Sequence, residues 1–383
     1  MPRRRSVLAV TAATLALAVA AGPAAGPAFA GAARPVPVCA VAPSGPDVAA
    51  LTAALATLPD ASATAATVRV GGTCAWTGTS GVRDVGTQAP ALENGRFRAG
   101  SVTKMVTAAI TLQLVAEGRI GLDGTVQQYL PGLLSDDFEP ITVRQLLNYT
   151  SGLQPGAAQP GDSVEASYPH RFETVTPQEV VASSVAAGPG SAPGETQQYS
   201  NIHYTVLGLL IEQVTGDTYA HQAQVRVLTP LGMRHSSFPS GADPTIQGPH
   251  NLGYDWIDGT LTDVTEWNMA DRWAAGDLIS TAADLERLLK GVFGGKAVPP
   301  ALLPEMFTVP DLAGASYGMG VQRLTLDGVE FWGKSGSRPG YVTAVAATAD
   351  LRRTVVIAVN STDAKGDGQQ TETLRFAVPA LRP

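Results

Sequence analysis

Lysine is scarce in this chain, with five residues in 383 against 21 arginines. Cysteine is scarcer still: Cys39 and Cys74 are the only two. Aromatic residues make up 6% of the sequence and charged residues 15%. Each shortage excludes something. Neither cysteine has a histidine near it at zinc spacing, and the five histidines (His170, His203, His221, His235 and His250) form no His-Glu-x-x-His pair, so no metal site is expected. A formal charge of −7 without a basic run excludes nucleic acid as a partner. No glycine-rich strand-to-helix fingerprint suggests a nucleotide, and no cofactor is expected. After residue 30 no stretch has 18 consecutive apolar residues, so no membrane span is expected in the mature chain.

Hydrophobic residues are plentiful, at 44%, enough for a substantial core in one large or two small domains. Residues 1–30 have the grammar of an export signal. Arg3, Arg4 and Arg5 form a positive start, Val7 to Ala21 an apolar run, and Ala28-Phe29-Ala30 a small-x-small cleavage site. Arg4-Arg5-Ser6-Val7-Leu8 also fits a twin-arginine signal loosely. Removing this segment takes away three arginines and no acids, moving the charge from −7 to −10. A secreted protein is expected, and in an oxidising compartment Cys39 and Cys74 are expected to be bonded. The alternative for that pair is two free buried thiols.

Hydrophobic periodicity divides the rest. Asp47 to Leu58 reads as a helix, and Thr67–Val70 and Thr73–Thr79 as a hairpin around Gly71-Gly72. Ile141–Leu147, Tyr204–Thr215 and Ala283–Val292 have helical spacing, whereas Ser151 to Pro193 reads as one long loop-rich stretch. After about residue 315 the period becomes two. Tyr317–Leu326, Val329–Lys334, Tyr341–Thr348 and Thr354–Asn360 read as successive antiparallel strands, followed by a helix over Gln369–Ala380. Strands at both ends with helices between them predict an α+β fold. Its antiparallel sheet is flanked by N- and C-terminal helices and interrupted by a mainly helical insertion.

The chemistry centres on Gly100-Ser101-Val102-Thr103-Lys104. Ser101 and Lys104 are three apart, so on a helix their side chains can meet. A serine hydroxyl needs a base to become a nucleophile, and a lysine serves as one when burial or a second cation lowers its pKa. The following run, Met105 to Val115, is apolar nearly all round, which predicts a buried helix and a desolvated Lys104. Chance alone would give about 0.3 Ser-x-x-Lys matches in this composition, so the tetrad needs company. Two further constellations supply it. Tyr199-Ser200-Asn201 is the only Tyr-x-Asn, and Lys334-Ser335-Gly336 the only Lys-[Ser/Thr]-Gly. A competing Gly-x-Ser-x-Gly around Ser316 lacks the strand-to-helix context of a nucleophile elbow.

In order and in residue type, the three motifs resemble those of the serine β-lactamase and penicillin-binding superfamily. The Tyr-x-Asn form is similar to class C β-lactamases and, closer, to secreted Streptomyces-type D-alanyl-D-alanine carboxypeptidases. Further blocks match: Thr150-Ser151-Gly152-Leu153, Thr229-Pro230-Leu231-Gly232-Met233, Ala275-Gly276-Asp277-Leu278-Ile279-Ser280-Thr281 and Tyr317-Gly318-Met319-Gly320. Tyr149 stands where many relatives have His, and Lys-Ser-Gly replaces His-Thr-Gly or Lys-Thr-Gly.

With the signal peptide read over 1–30, the resemblance implies one hydrolase domain over 31–383. Its sheet lobe would take about 45–100 and 315–383, and its helical lobe about 101–314. It implies that Ser101 is acylated, that Lys104 and Tyr199 handle the proton, and that Asn201 bonds the substrate amide. The N–H groups of Ser101 and Ser337 would form an oxyanion hole. Lys334, Ser335 and Gly336 would hold a substrate carboxylate, with Arg323, or Gln322 by a shifted alignment, as helper. The expected function is a secreted, monomeric D-alanyl-D-alanine carboxypeptidase acting on cell-wall peptides and acylated by β-lactams. Alternatives are a class C-like β-lactamase, an esterase, a D-aminopeptidase or, outside the enzymes, a penicillin-binding sensor that is acylated and stops.

Overall fold

A computed structural model describes residues 45–382 apart from Asp162. The expected export signal and Cys39 lie outside the described residues, while Cys74 sits in the turn between the first two strands. Eleven strands occur among the described residues. They are β1 (Ala63–Gly72), β2 (Trp76–Asp84), β3 (Ala89–Pro90), β4 (Phe97–Arg98), β5 (Tyr254–Ile257), β6 (Thr260–Asp263), β7 (Ile279–Ser280), β8 (Gln322–Leu326), β9 (Val329–Arg338), β10 (Tyr341–Ala347) and β11 (Arg353–Ser361). Seven of them form one antiparallel sheet in the order β3-β2-β1-β11-β10-β9-β8.

Period-two patterning divides this sheet between two cores. Along β11, Val355, Ile357 and Val359 join Leu51 and Leu55 of helix α1 (Val48–Ala56) and Phe376 of the Gly368–Leu381 helix. Val356 and Ala358 face the larger core of the helical lobe. Both faces are thus covered, as the alternation requires. Asp47 caps α1 by accepting from the Ala50 N–H at 2.9 Å.

Helix α2 (Thr103–Ala116) runs through the centre of the helical lobe and is buried from Thr103 to Leu112 without a break. An all-round apolar sequence has no polar face to give to water, so the rest of the lobe closes around it. The Ile202–Thr215 helix packs beside it and ends on Gly216 in the left-handed conformation.

The α+β arrangement expected from periodicity is the one observed, and the four late strands start and stop within a few residues of their expected bounds except β8. Its strand begins at Gln322, because Tyr317 to Val321 forms a turn closed by a single bridge from Tyr317 to Gln322. The stretch from Ser151 to Pro193, read as loop, contains a ten-residue helix, Pro177–Ala186. Its start was spelled out: Thr176 caps it, Glu179 returns the bond to the Thr176 N–H, and Pro177 takes the first turn.

Phe376 is fully buried between its helix and the sheet. Phe376→Ala should therefore cost about 3–5 kcal/mol, from the lost transfer energy and the cavity left behind. Urea unfolding followed by far-UV circular dichroism checks this, and a loss below about 1 kcal/mol would show that the helix does not anchor the sheet.

Candidate active site

Gly100–Val102 forms a single 3-10 turn that leads into α2, and two side-chain bonds pin it. The Thr103 hydroxyl donates to the Gly100 carbonyl at 2.7 Å and accepts from the Leu278 N–H at 3.0 Å. Strand β9 approaches this turn so closely that side chains are excluded on both sides. A Cβ on Gly336 would lie 2.2 Å from the Ala99 carbonyl oxygen and 2.7 Å from the Ser101 nitrogen. A Cβ on Gly100, whose φ is +53°, would lie 2.7 Å from the Ser337 nitrogen. The two glycines thus bring the backbone nitrogens of Ser101 and Ser337 together, the pair expected to form the oxyanion hole. One such donor is typically worth about 3 kcal/mol in the transition state.

Lys104 is fully buried. Its Nζ donates to Asn201 Oδ1 at 2.7 Å and to the Ala275 carbonyl at 2.7 Å, and lies 3.1 Å from Ser101 Oγ. Two of its three tetrahedral positions are taken by oxygens that can only accept. The third faces Ser101, so a neutral Lys104 would aim its lone pair at the serine proton. Burial, with a smaller contribution from the Lys334 charge, lowers its pKa to about 8. At pH 7 about one lysine in ten is then neutral, against about one in 3,000 at the ordinary value. Asn201 occupies the N-cap position of its helix but makes no cap bond, its oxygen being committed to Lys104.

Tyr199 donates to Ser101 Oγ at 2.8 Å. The ammonium groups of Lys104 and Lys334 lie 5.1 and 4.7 Å from its ring centroid, so the phenol sits between two cations. Tyr317 stacks on it at 5.2 Å, and the fully buried Tyr149 packs against both rings. Gln197, unnoticed in the sequence, fastens this segment. Its amide donates to the carbonyls of Asn148 and Tyr317, and its oxygen accepts from the N–H groups of Ser316 and Tyr317. Ser316 of the competing Gly-x-Ser-x-Gly is thereby a loop residue, its hydroxyl accepting from Gln322.

Strand β8 pairs with β9 only as far as Gly333. From Lys334 to Arg338 the edge of β9 therefore faces the cleft, and successive side chains from both faces reach it. A cavity of about 220 Å³ is lined there by Ser101, Tyr199, Asn201, Lys334, Ser335 and Ser337. Burial pushes the Lys334 ammonium down to about 7. Neither Arg323 nor Gln322, the expected carboxylate helpers, reaches this cavity: Arg323 is exposed on β8 and Gln322 bonds Ser316. Besides Lys334, the cations that line it are Arg272, Arg338 and Lys365. Lys365 donates to Ser337 Oγ at 3.4 Å, and Arg338 lies 3.8 Å from Asp271. Three of the five lysines thus meet at one site, and their scarcity elsewhere was the one sequence signal that could have found Lys365.

This geometry can take a proton from Ser101 through either Lys104 or Tyr199 and stabilise the resulting oxyanion. The sequence profile of the family described as Beta-lactamase matches residues 51–379. The chain belongs to the beta-lactamase family. Within that family the chain is a serine hydrolase, and its relatives vary in reaction. It is 31% identical to a D-stereospecific amidohydrolase from Streptomyces sp. The match covers 86% of this chain and 98% of that one, with a TM-score of 0.75. It is 32% identical to Protein flp of Staphylococcus aureus over 55% of this chain and 41% of that protein. With Esterase EstB of Burkholderia gladioli the identity is 34%, over 43% of this chain and 44% of the esterase. The chain thus spans less than half the length of these two relatives. D-amino acid amidase from Ochrobactrum anthropi SV3, at 23% identity and a TM-score of 0.72, shares the fold.

With Lys104 as the proton acceptor, kcat/KM on the neutral ester 4-nitrophenyl acetate should rise about tenfold per pH unit and level off above about pH 8. A flat profile between pH 6 and 9 would rule that role out. Lys104→Arg, which stays charged, should lower the rate by about 10²–10⁴-fold. Intact-mass analysis of the trapped acetyl-enzyme should place the adduct on Ser101, and none should form in Ser101→Ala.

Proposed function

We propose that the enzyme is a D-alanyl-D-alanine carboxypeptidase-type amidohydrolase. Ser101 takes the acyl group of a peptide whose departing D-amino acid carries a free carboxylate, and water then releases it. One observation carries this reading: Lys334, the Ser335 hydroxyl, Arg338 and Lys365 line the same 220 Å³ cavity as Ser101. So many donors and cations around a neutral ester would gain nothing, whereas around a carboxylate they form charge-assisted hydrogen bonds. β-Lactams present the same pairing of amide and carboxylate and should acylate Ser101 as well. Likeness to the Streptomyces D-stereospecific amidohydrolase supports a D-configured substrate. With the export signal over residues 1–30, the proposal includes a secreted monomer acting on cell-wall peptides, with Cys39 and Cys74 bonded. The likeness to Esterase EstB favours, as a second reading, an esterase that holds no charged group.

Conversion of the terminal carboxylate of a bisacylated D-alanyl-D-alanine peptide to its amide distinguishes the two. A lost charge-assisted bond of about 1.5–3 kcal/mol corresponds to a fall in kcat/KM of about 10- to 150-fold. Ser335→Ala should shrink that ratio, while Lys334→Ala should slow both substrates because Lys334 also flanks Tyr199. Equal turnover of acid and amide would favour the esterase or an aminopeptidase.

A further inference from the structure

Tyr199 comes from a stretch without regular structure. Thr196 to Ser200 belong to neither strand nor helix, and the Ile202–Thr215 helix begins only after Asn201. Tyr199 is 37% exposed, and its hydroxyl donates to Ser101 Oγ at 2.8 Å. One hydrogen bond does not fix a side chain that turns about two torsions. The rings against it do: Tyr149 at 5.0 Å and Tyr317 at 5.2 Å, themselves 5.1 Å apart. Where the phenol lies over Ser101 is thus decided by how three separate segments are held together.

Gln197 holds them. A carboxamide has two N–H donors and two acceptor sites on its oxygen. Here all four are used. Nε2 donates to the Asn148 carbonyl at 2.9 Å and to the Tyr317 carbonyl at 2.7 Å. Oε1 accepts from the Ser316 N–H at 2.8 Å and the Tyr317 N–H at 3.0 Å. Two partners can only accept and two can only donate, so neither a carboxylate nor a cation could replace the amide. Asn148 precedes Tyr149, and Gln197 lies two residues before Tyr199. One side chain therefore joins the backbones that carry all three rings.

Tyr149 shows what this joint works against. Its φ is +64°, in the left-handed region that a bulky side chain avoids. Such a conformation persists where the surroundings over-determine it, and functional sites are where that occurs. Gln197 holds the carbonyl before Tyr149, and the Gln198 N–H donates to the Tyr149 carbonyl at 2.9 Å. The Tyr204 hydroxyl donates to the Leu147 carbonyl at 2.8 Å.

We propose that Gln197 is a positioning residue for the reaction. It acts through the Tyr149 and Tyr317 rings, which hold the Tyr199 phenol on Ser101. The inference rests on Tyr199 serving the Ser101 proton, and not on which substrate the enzyme takes.

A double-mutant cycle on 4-nitrophenyl acetate tests it. Gln197→Met keeps an unbranched side chain of similar length and removes all four bonds. It should lower kcat/KM by about 10- to 100-fold, the scale of a misplaced catalytic group. In the Tyr199→Phe background the same substitution should change kcat/KM by no more than about twofold, because no phenol hydroxyl is left to position. An equal fall in both backgrounds overturns the proposal, since lost folding or a disordered cleft would slow both alike. An unchanged rate in Gln197→Met alone overturns it too. If Gln197→Met does not fold, Tyr317→Leu decides. It removes one ring of the clamp and leaves the Gln197 bonds, all of which go to backbone groups. Its effect should likewise require the Tyr199 hydroxyl, and a fall that persists in the Tyr199→Phe background overturns the proposal. A Tyr199→Phe enzyme as fast as the wild type would show separately that the phenol takes no part, and the proposal falls with it.

Discussion

The buried ammonium of Lys104 is the constraint on which the rest depends. A lysine fully out of water is unfavourable unless its three hydrogen-bond directions are met and its charge is easily lost. Three parts of the chain, two of them distant, meet those directions: Ser101 on the preceding turn, Asn201 at the head of the Ile202–Thr215 helix, and the Ala275 carbonyl. Each must arrive within hydrogen-bonding reach. Helix α2 is sequestered so that Lys104 can be. The 274–278 segment is held to α2 by Thr103 and Thr107, and Asn201 gives up its cap bond. Helix-end stability is spent on positioning.

Electrostatics across the cleft is arranged as a gradient. Around Ser101 the protein places Lys104, Lys334, Arg272, Arg338 and Lys365 in a chain whose formal charge is −7. Clustered cations depress one another's affinity for protons, which keeps a base available at neutral pH. In the adjoining cavity the sign reverses at Asp255 and Asp363. A substrate lying along β9 would therefore experience a field that orients it end to end before any covalent step.

Much of this was legible in the sequence, and the reason is local. Alternation fixes strands, all-round apolarity marks a buried helix, and the spacing of Ser101 and Lys104 is a property of one helical turn. What stayed hidden depends on tertiary meeting. Arg272 and Arg338 lie close to blocks singled out in the sequence and Lys365 does not, but the three come from different segments that meet only in the fold. Arg323 looked suitable by its neighbourhood, yet β8 turns it to solvent and ends its pairing at Gly333. Gln197 reads as one more polar loop residue until its four bonds are seen. The Pro177–Ala186 helix is a different case. Its capping box was visible, and the glycine- and proline-rich context around it outweighed a correct local signal.

The strand order has a consequence for how the molecule comes into being. β1 pairs with β11, so Ala63 lies opposite Ser361, with nearly 300 residues of chain between them. Until that last strand has been synthesised, β1 and β2 are a hairpin whose β1 edge is bare. Pairings of such sequence separation close slowly, because the entropy of a long loop must be lost before any contact rewards it. The larger core, by contrast, draws most of its residues from the contiguous middle of the chain. Assembly should therefore start from the middle of the sequence outward, with the nucleophile's helix buried first. The oxyanion hole, which needs β9 against Gly100, would be completed only as the two ends of the chain meet.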